Sequence, residues 1–254
     1  MTDIPLLSLA IWVPILGGLL VLATGSDRNA PLARMLAFAV AVAGFVVTIP
    51  LYTGFDTTTS AMQFVELTSW VPRFNINYHL GVDGLSVLFV ILNAFITILV
   101  VMAGWQVIQD KVAQYMAAFL IMSGLINGVF ASLDGILFYV FFEAMLIPVY
   151  FLIGGYGSGE RAAAAVKFLL YSLFGGLLML ASIIGLYVIS GNNGGHTFDI
   201  TALSELHTSM SSTTQNILFL GFFIAFAIKA PLWPFHTWLP DAAKSATAGT
   251  SVLL

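Results

Sequence analysis

The sequence predicts an all-α protein, a polytopic bundle of transmembrane helices in which the seventh helix is interrupted by prolines. Of the 254 residues, 59% are hydrophobic and 8% are charged, whereas about a quarter of the residues of a soluble domain carry charge. Apolar windows of about 20 residues, long enough to cross a bilayer, recur along the whole chain. Lipid is therefore the expected solvent for most of the surface.

Seven apolar windows follow one another, and two of the connections between them are long. The first long connection, 54–83, is predicted to be an external loop, and the second, 191–214, is rich in Gly, Asn and Ser and also reads as a loop. An eighth window begins near Thr247 and is still apolar where the chain stops, so we expect a fragment of a longer protein. The seven windows are 4–24, 31–53, 84–106, 112–132, 135–154, 162–190 and 215–239.

Composition excludes several classes of function. The chain has no cysteine, so disulfides, iron–sulfur clusters and thiolate metal sites within it are excluded. The net charge of −4 is small and scattered, and it does not suggest nucleic acid as a partner. Asp3 and the absence of a basic residue ahead of the first window argue against a cleavable signal peptide.

The distribution of lysine and arginine predicts the orientation in the membrane. When the loops are assigned alternately to the two sides, the second side holds Arg73 as its one basic residue, together with most of the acidic residues. We therefore predict a periplasmic N-terminus, with the loop after Lys229 facing the cytoplasm. The basic residues of the first, cytoplasmic side are Arg28, Arg34, Lys111, Arg161 and Lys244, with Lys167 close by.

Two ionisable residues lie at the predicted depth of the membrane centre. Glu143 is eight residues into the fifth window, and Lys229 is about 14 residues into the seventh. A charged residue at that depth costs about 2.5 to 3.5 kcal/mol even on the most lenient insertion scale. Because a paired charge is far less costly than an isolated one, we expect Glu143 and Lys229 to face each other.

Prolines accompany both residues. Pro148 cannot donate to the carbonyl of Ala144, and Pro231 and Pro234 leave the carbonyls of Ala227 and Ala230 without their helical donors. Exposed carbonyls in the bilayer need water or polar side chains, and ion sites of transporters are built at interrupted helices near the midplane. The pattern predicts a hydrated pocket.

Desolvation disfavours both charged forms, whereas mutual attraction favours both. Moving the carboxylate would therefore change the proton affinity of the amine, and we interpret Glu143 and Lys229 as a proton-transfer pair. A static buried ion pair that fixes the register of two helices is the alternative interpretation.

Other polar residues have a structural and a functional interpretation. His236 is a possible proton shuttle or a histidine hydrogen-bonded at a helix end, and Lys167 is a snorkelling anchor or a member of the internal relay. Asn93, Ser123 and Asn127 indicate hydrogen bonds between helices, and Gly124 and Gly128 indicate close helix packing. No metal site, nucleophile–base arrangement or nucleotide-binding motif is predicted.

Three motifs resemble the antiporter-like membrane subunits of respiratory NADH:quinone oxidoreductase. They are "YHLGVDGLS" at 78–86, "FFEAMLIPVYFLIGGYG" at 141–157 and "KAPLWPFHTWLPDA" at 229–242. The chain is most similar to chain M, the bacterial counterpart of mitochondrial subunit 4. The third motif alone is shared with multisubunit cation/proton antiporters.

The resemblance implies a subunit of about fourteen spans with two inverted five-helix repeats. Residues 1–111 would hold spans one to three, and residues 112–254 would hold a truncated first repeat. It also implies that Glu143 pairs with Lys229 in a line of charged residues along a membrane arm, and that the chain is a subunit of a proton-translocating oxidoreductase. By the same resemblance, other subunits would bind NADH, FMN, iron–sulfur clusters and quinone, and this chain would carry no redox centre or cofactor. Its partners would be the lipid bilayer and other membrane-arm subunits, including further antiporter-like ones.

After Asp241 the sequence departs from the family pattern. Many members continue with histidine, glutamate and then alanine-proline-threonine, whereas this chain reads "AAKSATAGTSVLL". The departure concerns the polar residues of this loop and leaves Glu143 and Lys229 unaffected. Two alternatives to the redox-driven pump stay open, a subunit of a multisubunit Na⁺/H⁺ antiporter and a structural membrane scaffold.

Overall fold

The computed structural model describes residues 4–25, 27–192 and 195–253, and it is a bundle of helices with one small β-hairpin. Within these residues, seven helical segments are long and apolar enough to cross a membrane. The predicted fold class, an all-α multi-pass bundle, is confirmed. The α-helices are α1 (Leu6–Ala23), α2 (Ala30–Thr53), α3 (Ser86–Val107), α4 (Val112–Ala131), α5 (Gly135–Ala144), α6 (Leu146–Tyr156), α7 (Arg161–Gly191), α8 (Ile200–Glu205), α9 (Ser212–Lys229), α10 (Trp238–Ser245) and α11 (Ala248–Leu253).

The prolines break two of the predicted spans. The fifth span consists of α5 and α6, which are separated by a turn at Met145, three residues before Pro148. The predicted interruption of the seventh window, 215–239, is confirmed, because α9 stops at Lys229 and a new helix begins only at Trp238. Pro231 and Pro234 lack the amide hydrogens that a continuing helix needs, so the chain turns and resumes as the short helix α10.

Helix α4 occupies the centre of the bundle and packs against α1, α2, α3, α5 and α6. Pro14 interrupts the hydrogen-bond ladder of α1 and frees the carbonyl of Ala10. Asn127 of α4 donates its side-chain amide to that carbonyl over 2.9 Å, and its own oxygen accepts from Asn93 of α3 over 2.7 Å. The side-chain amide of Asn93 also donates to the backbone carbonyl of Ser123. The hydrogen bonding between helices that was predicted for Asn93, Ser123 and Asn127 is therefore confirmed.

Two glycines of α4 permit close helix packing. A methyl group at Gly124 would overlap the Ile11 carbonyl of α1, and one at Gly128 would lie 2.5 Å from the ring of Phe141 on α5. The packing predicted for this small-residue pair is confirmed, and it brings α5 against the centre of the bundle.

The connection 54–83 was predicted to be a loop. It contains instead an antiparallel hairpin of β1 (Gln63–Val71) and β2 (Ile76–Val82). Leu67 pairs with His79, and Asn75 supplies the positive φ of 53° at the turn. The Glu66 carboxylate accepts the backbone amide of Leu7 over 2.8 Å. The hairpin thereby caps the first turn of α1, whose amides have no helical acceptors.

Contacts between loops confirm which of them share a side. On one side, Asp27 accepts from the backbone amides of Lys111 and Val112, and the amide of Ser158 donates to the carbonyl of Ser245 over 2.7 Å. These are the loops that were predicted to gather the basic residues. On the opposite side, the hairpin and the segments 132–134 and 195–199 meet through isolated β-bridges.

Candidate functional site

Glu143 lies near the end of α5, and its carboxylate rests against the backbone of α7. A methyl group at Gly176 would overlap the Oε1 atom of Glu143, so the glycine provides the space that the carboxylate occupies. Oε1 is buried and has no hydrogen-bond partner. A buried carboxylate oxygen without a donor is energetically unfavourable.

The outer end of the helix that carries Glu143 is fixed by Asp134. Its carboxylate accepts the backbone amides of Ile136 and Leu137 over 2.9 and 3.1 Å, and the amide of Asn77 in β2 over 3.0 Å. Burial raises the pKa of Asp134, while these hydrogen bonds oppose the increase. The hairpin and α5 are thus joined through one buried carboxyl group.

Lys229 is the last residue of α9 and lies directly before the break. The chain turns so that the backbone amide of Leu232 donates to the carbonyl of Ala227 over 2.8 Å, and the indole of Trp238 donates to the carbonyl of Ile228 over 2.8 Å. The expectation that the Ala227 carbonyl needs water or a polar side chain is wrong, because a second backbone amide replaces the one that Pro231 lacks.

The Lys229 ammonium lies among aromatic rings and does not touch the carboxylate. Its Nζ is 4.9 Å from the centre of the Phe142 ring and 5.9 Å from that of the Phe168 ring. Within the described residues, no ion pair closer than 4.0 Å joins Lys229 to Glu143. The two groups are nevertheless close enough to interact electrostatically.

A cavity of about 210 Å³ adjoins Lys229 and is lined by residues of α4, α6 and α7 as well as by Trp238. Among the described residues, Lys229 is the one charged residue of the lining, and the other lining side chains are mostly apolar, among them Met122, Met145 and Phe168. A water molecule takes about 30 Å³ in the liquid, so the volume is sufficient for several waters. The polar surface they would need is supplied chiefly by the ammonium.

His236 lies in the short 3₁₀ turn Phe235–Thr237 that follows the break. Its Nδ1 is buried and lacks a hydrogen-bond partner, so the ring nitrogen is not held by a helix end. The next residue, Thr237, shares a hydrogen bond of 2.7 Å with the hydroxyl of Tyr171 on α7. The turn is therefore attached to the same helix that contacts Glu143.

Lys167 forms an ion pair with Asp241 of α10, with 2.7 Å between Nζ and Oδ2. Their side chains are 36% and 54% exposed, and both line an open cavity of about 340 Å³ together with Glu160 and Lys244. Lys167 is nine residues from Gly176 on α7, so it lies about 13 Å from the level of Glu143. Lys167 is therefore a partly exposed group, separated from the level of Glu143.

Sequence reasoning did not identify Ser172, Tyr171 or Trp238 as parts of this region. Ser172 is 6% exposed, and its hydroxyl has no hydrogen-bond partner. Phe168, Ser172 and Gly176 are spaced four residues apart and therefore lie on one face of α7. Because Gly176 faces Glu143, this spacing predicts that Ser172 lies on the same face. Trp238 offered no such signal, because its position depends on the turn that the chain makes after Lys229.

Two family models match consecutive parts of the chain. Residues 30–130 match the model described as NADH-ubiquinone oxidoreductase chain 4, amino terminus. Residues 132–254 match the model described as NADH:quinone oxidoreductase/Mrp antiporter, TM.

Similar curated proteins are named NADH-quinone oxidoreductase subunit M. The protein of Mycobacterium tuberculosis is 40% identical over 288 aligned positions, which include 100% of this chain and 52% of the relative. The Rhodobacter capsulatus protein is 41% identical, with 98% of this chain and 50% of the relative covered. The chain spans about half the length of these relatives.

Solved structures with the same fold include a chain of respiratory complex I from Thermus thermophilus with bound NADH. That chain is 31% identical with a TM-score of 0.81, and the alignment covers 97% of this chain and 49% of that one. A chain of the Mrp complex from Dietzia is 20% identical with a TM-score of 0.78, covering 96% of this chain and 26% of that one, and it shows the fold alone. The chain belongs to the family of antiporter-like membrane subunits of NADH:quinone oxidoreductase, in the branch of chain M, or chain 4.

Proposed function

We propose that this chain is part of a proton-translocating membrane subunit of a bacterial NADH:quinone oxidoreductase, in which Glu143 and Lys229 transfer protons within the membrane. The observation that carries the proposal is the arrangement of these two groups. They are neighbours of opposite charge at an interrupted helix, they have no direct ion pair, and Glu143 has a buried oxygen without a donor. Family membership and the relatives named subunit M support the same function.

The geometry disfavours a purely structural role. A buried ion pair that fixes helix register must be in direct contact to offset the desolvation of its charges. Here the ammonium faces aromatic rings. Small movements of α5 or α9 would change the distance between Glu143 and Lys229, and with it the proton affinity of both.

His236 and Lys167 extend the proposed route toward the side that carries the basic loops. His236 presents a free buried nitrogen and directly precedes Thr237, which shares a hydrogen bond with Tyr171. Lys167, with Asp241, occupies the cavity at the surface. We assign His236 and Lys167 as relay residues between this cavity and Lys229.

The remaining features of the proposal follow from the family and the charge distribution. The subunit would lie in the bacterial inner membrane with a periplasmic N-terminus, and residues 112–254 would form the beginning of an inverted repeat. Other membrane-arm subunits, including antiporter-like ones, would be its partners. Electron transfer from NADH through FMN and iron–sulfur clusters to quinone would take place on other subunits, with no cofactor in this chain.

The test uses the complete complex in proteoliposomes, with NADH oxidation and proton uptake measured together. Glu143→Gln with Lys229→Met removes both charges while keeping side-chain size. The proposal predicts an assembled complex whose proton transport per NADH is lost or strongly reduced. Full pumping by this variant would support a scaffold, and transport that requires sodium and no NADH would support the antiporter alternative.

A further inference from the structure

Ser172 of α7 carries a second orphaned polar atom near Glu143. Its hydroxyl is buried and has no partner, although a serine inside a helix ordinarily donates to a carbonyl of the preceding turn. Ser182 of the same helix does so, donating to Leu178 over 3.1 Å. The free hydroxyl of Ser172 therefore reflects its surroundings and not a general property of α7.

The periodicity of α7 places Ser172 between the two charged groups. Residues four apart lie on one face of a helix, about one turn from each other. Phe168, one turn before Ser172, contacts the Lys229 ammonium with its ring, and Gly176, one turn after it, contacts the Glu143 carboxylate. One helical face therefore presents, in order, a neighbour of the ammonium, a free hydroxyl and a neighbour of the carboxylate.

A hydroxyl is chemically suited to this position because it both donates and accepts. The carboxylate oxygen needs a donor, and the ammonium needs an acceptor. One helical turn, about 5.4 Å, is the span of two hydrogen bonds through one water, and such bridges are nearly as favourable as direct bonds.

We propose that the Ser172 hydroxyl is a relay between Lys229 and Glu143, reached through one water in the geometry of this structure or directly after a small movement of α5 or α9. As the ammonium gives a proton to the hydroxyl oxygen, the hydroxyl gives its own proton to the carboxylate. Lys229 becomes a neutral amine, Glu143 becomes a carboxylic acid, and the serine is unchanged. This inference rests on the proposed function of the pair and adds a group to its route.

The experiment measures protons translocated per NADH oxidised by the complete complex in proteoliposomes, a ratio that does not depend on how much complex assembles. Ser172→Ala is expected to lower the ratio at least threefold, and Ser172→Thr is expected to restore most of it. Ser182→Ala is the matched control, since Ser182 is 5% exposed on the same helix but bonds its own backbone, and it should keep the wild-type ratio.

Two outcomes overturn the inference in distinguishable ways. If Ser172→Ala pumps normally while Glu143→Gln does not, the relay is wrong and the proposed function stands. If both variants pump normally, the proposed function fails as well. Should Ser172→Ala fail to assemble, Ser172→Thr is compared with Ser172→Val, because the two side chains have the same shape and differ in the hydroxyl group. Equal ratios of protons translocated per NADH for these two variants would refute the relay.

Discussion

Replacing Gly176 with alanine tests whether the backbone of α7 positions the Glu143 carboxylate. The added methyl group would occupy the place of Oε1, whereas non-bonded atoms settle at about 3.5 to 4.0 Å. The carboxylate must therefore shift by roughly 1 Å or more, and this shift costs little stability because Oε1 is the far end of a flexible side chain. Because misplacing a reacting group by about 1 Å can slow a reaction about 100-fold, we expect a 10- to 100-fold loss of proton pumping.

The assay is dye-detected acidification of proteoliposomes that contain the complete complex, together with its thermal midpoint. Gly44→Ala is the matched control, because Gly44 is a buried glycine inside α2 with no atom within 4 Å of the added methyl group. That change should leave pumping intact, and it should favour the helix by up to about 1 kcal/mol. Wild-type pumping by Gly176→Ala would refute the placement of Glu143 against α7.

Three further substitutions examine neighbouring parts of the account. Trp238→Phe removes the donor to the Ile228 carbonyl beside Lys229, and leaving that carbonyl unsatisfied should cost about 1 to 3 kcal/mol, measured as a lower thermal midpoint; an unchanged midpoint would contradict this. Asn127→Ala strips the Ala10 carbonyl of its donor and should destabilise the complex by at least as much without changing protons pumped per NADH, so a selective loss of pumping would count against a structural role. Lys167→Met breaks an exposed ion pair that contributes little to stability, so the midpoint should hold while the pumping rate falls, and an unaltered rate would remove Lys167 from the route.

The helices and their interruptions could be predicted from local sequence because lipid imposes a simple rule on composition. Every span needs an apolar run of sufficient length, and Pro148 and Pro231 mark both breaks through their missing amide hydrogens. The same locality explains why Glu143 and Lys229 stood out, since a charged residue in such a run has few benign explanations.

Features that depend on long-range packing could not be predicted in this way. The distance between Glu143 and Lys229 depends on how α5, α7 and α9 pack, and this packing is governed by small residues such as Gly175 and Gly176. The partner of the Ala227 carbonyl depends on the turn of the chain after α9. The hairpin was missed for a different reason, because its polar residues were read as a loop although the strands are rich in β-branched and aromatic residues.

The most direct test of the account follows the protonation of Glu143 itself during turnover. Infrared difference spectra of the complete complex should contain a band from a protonated carboxyl group that changes when NADH is added and that Glu143→Gln removes. Lys229→Met should suppress the change of that band while the complex remains assembled. A carboxyl signal of Glu143 that stays constant through NADH oxidation in a fully pumping complex would contradict proton transfer by this pair.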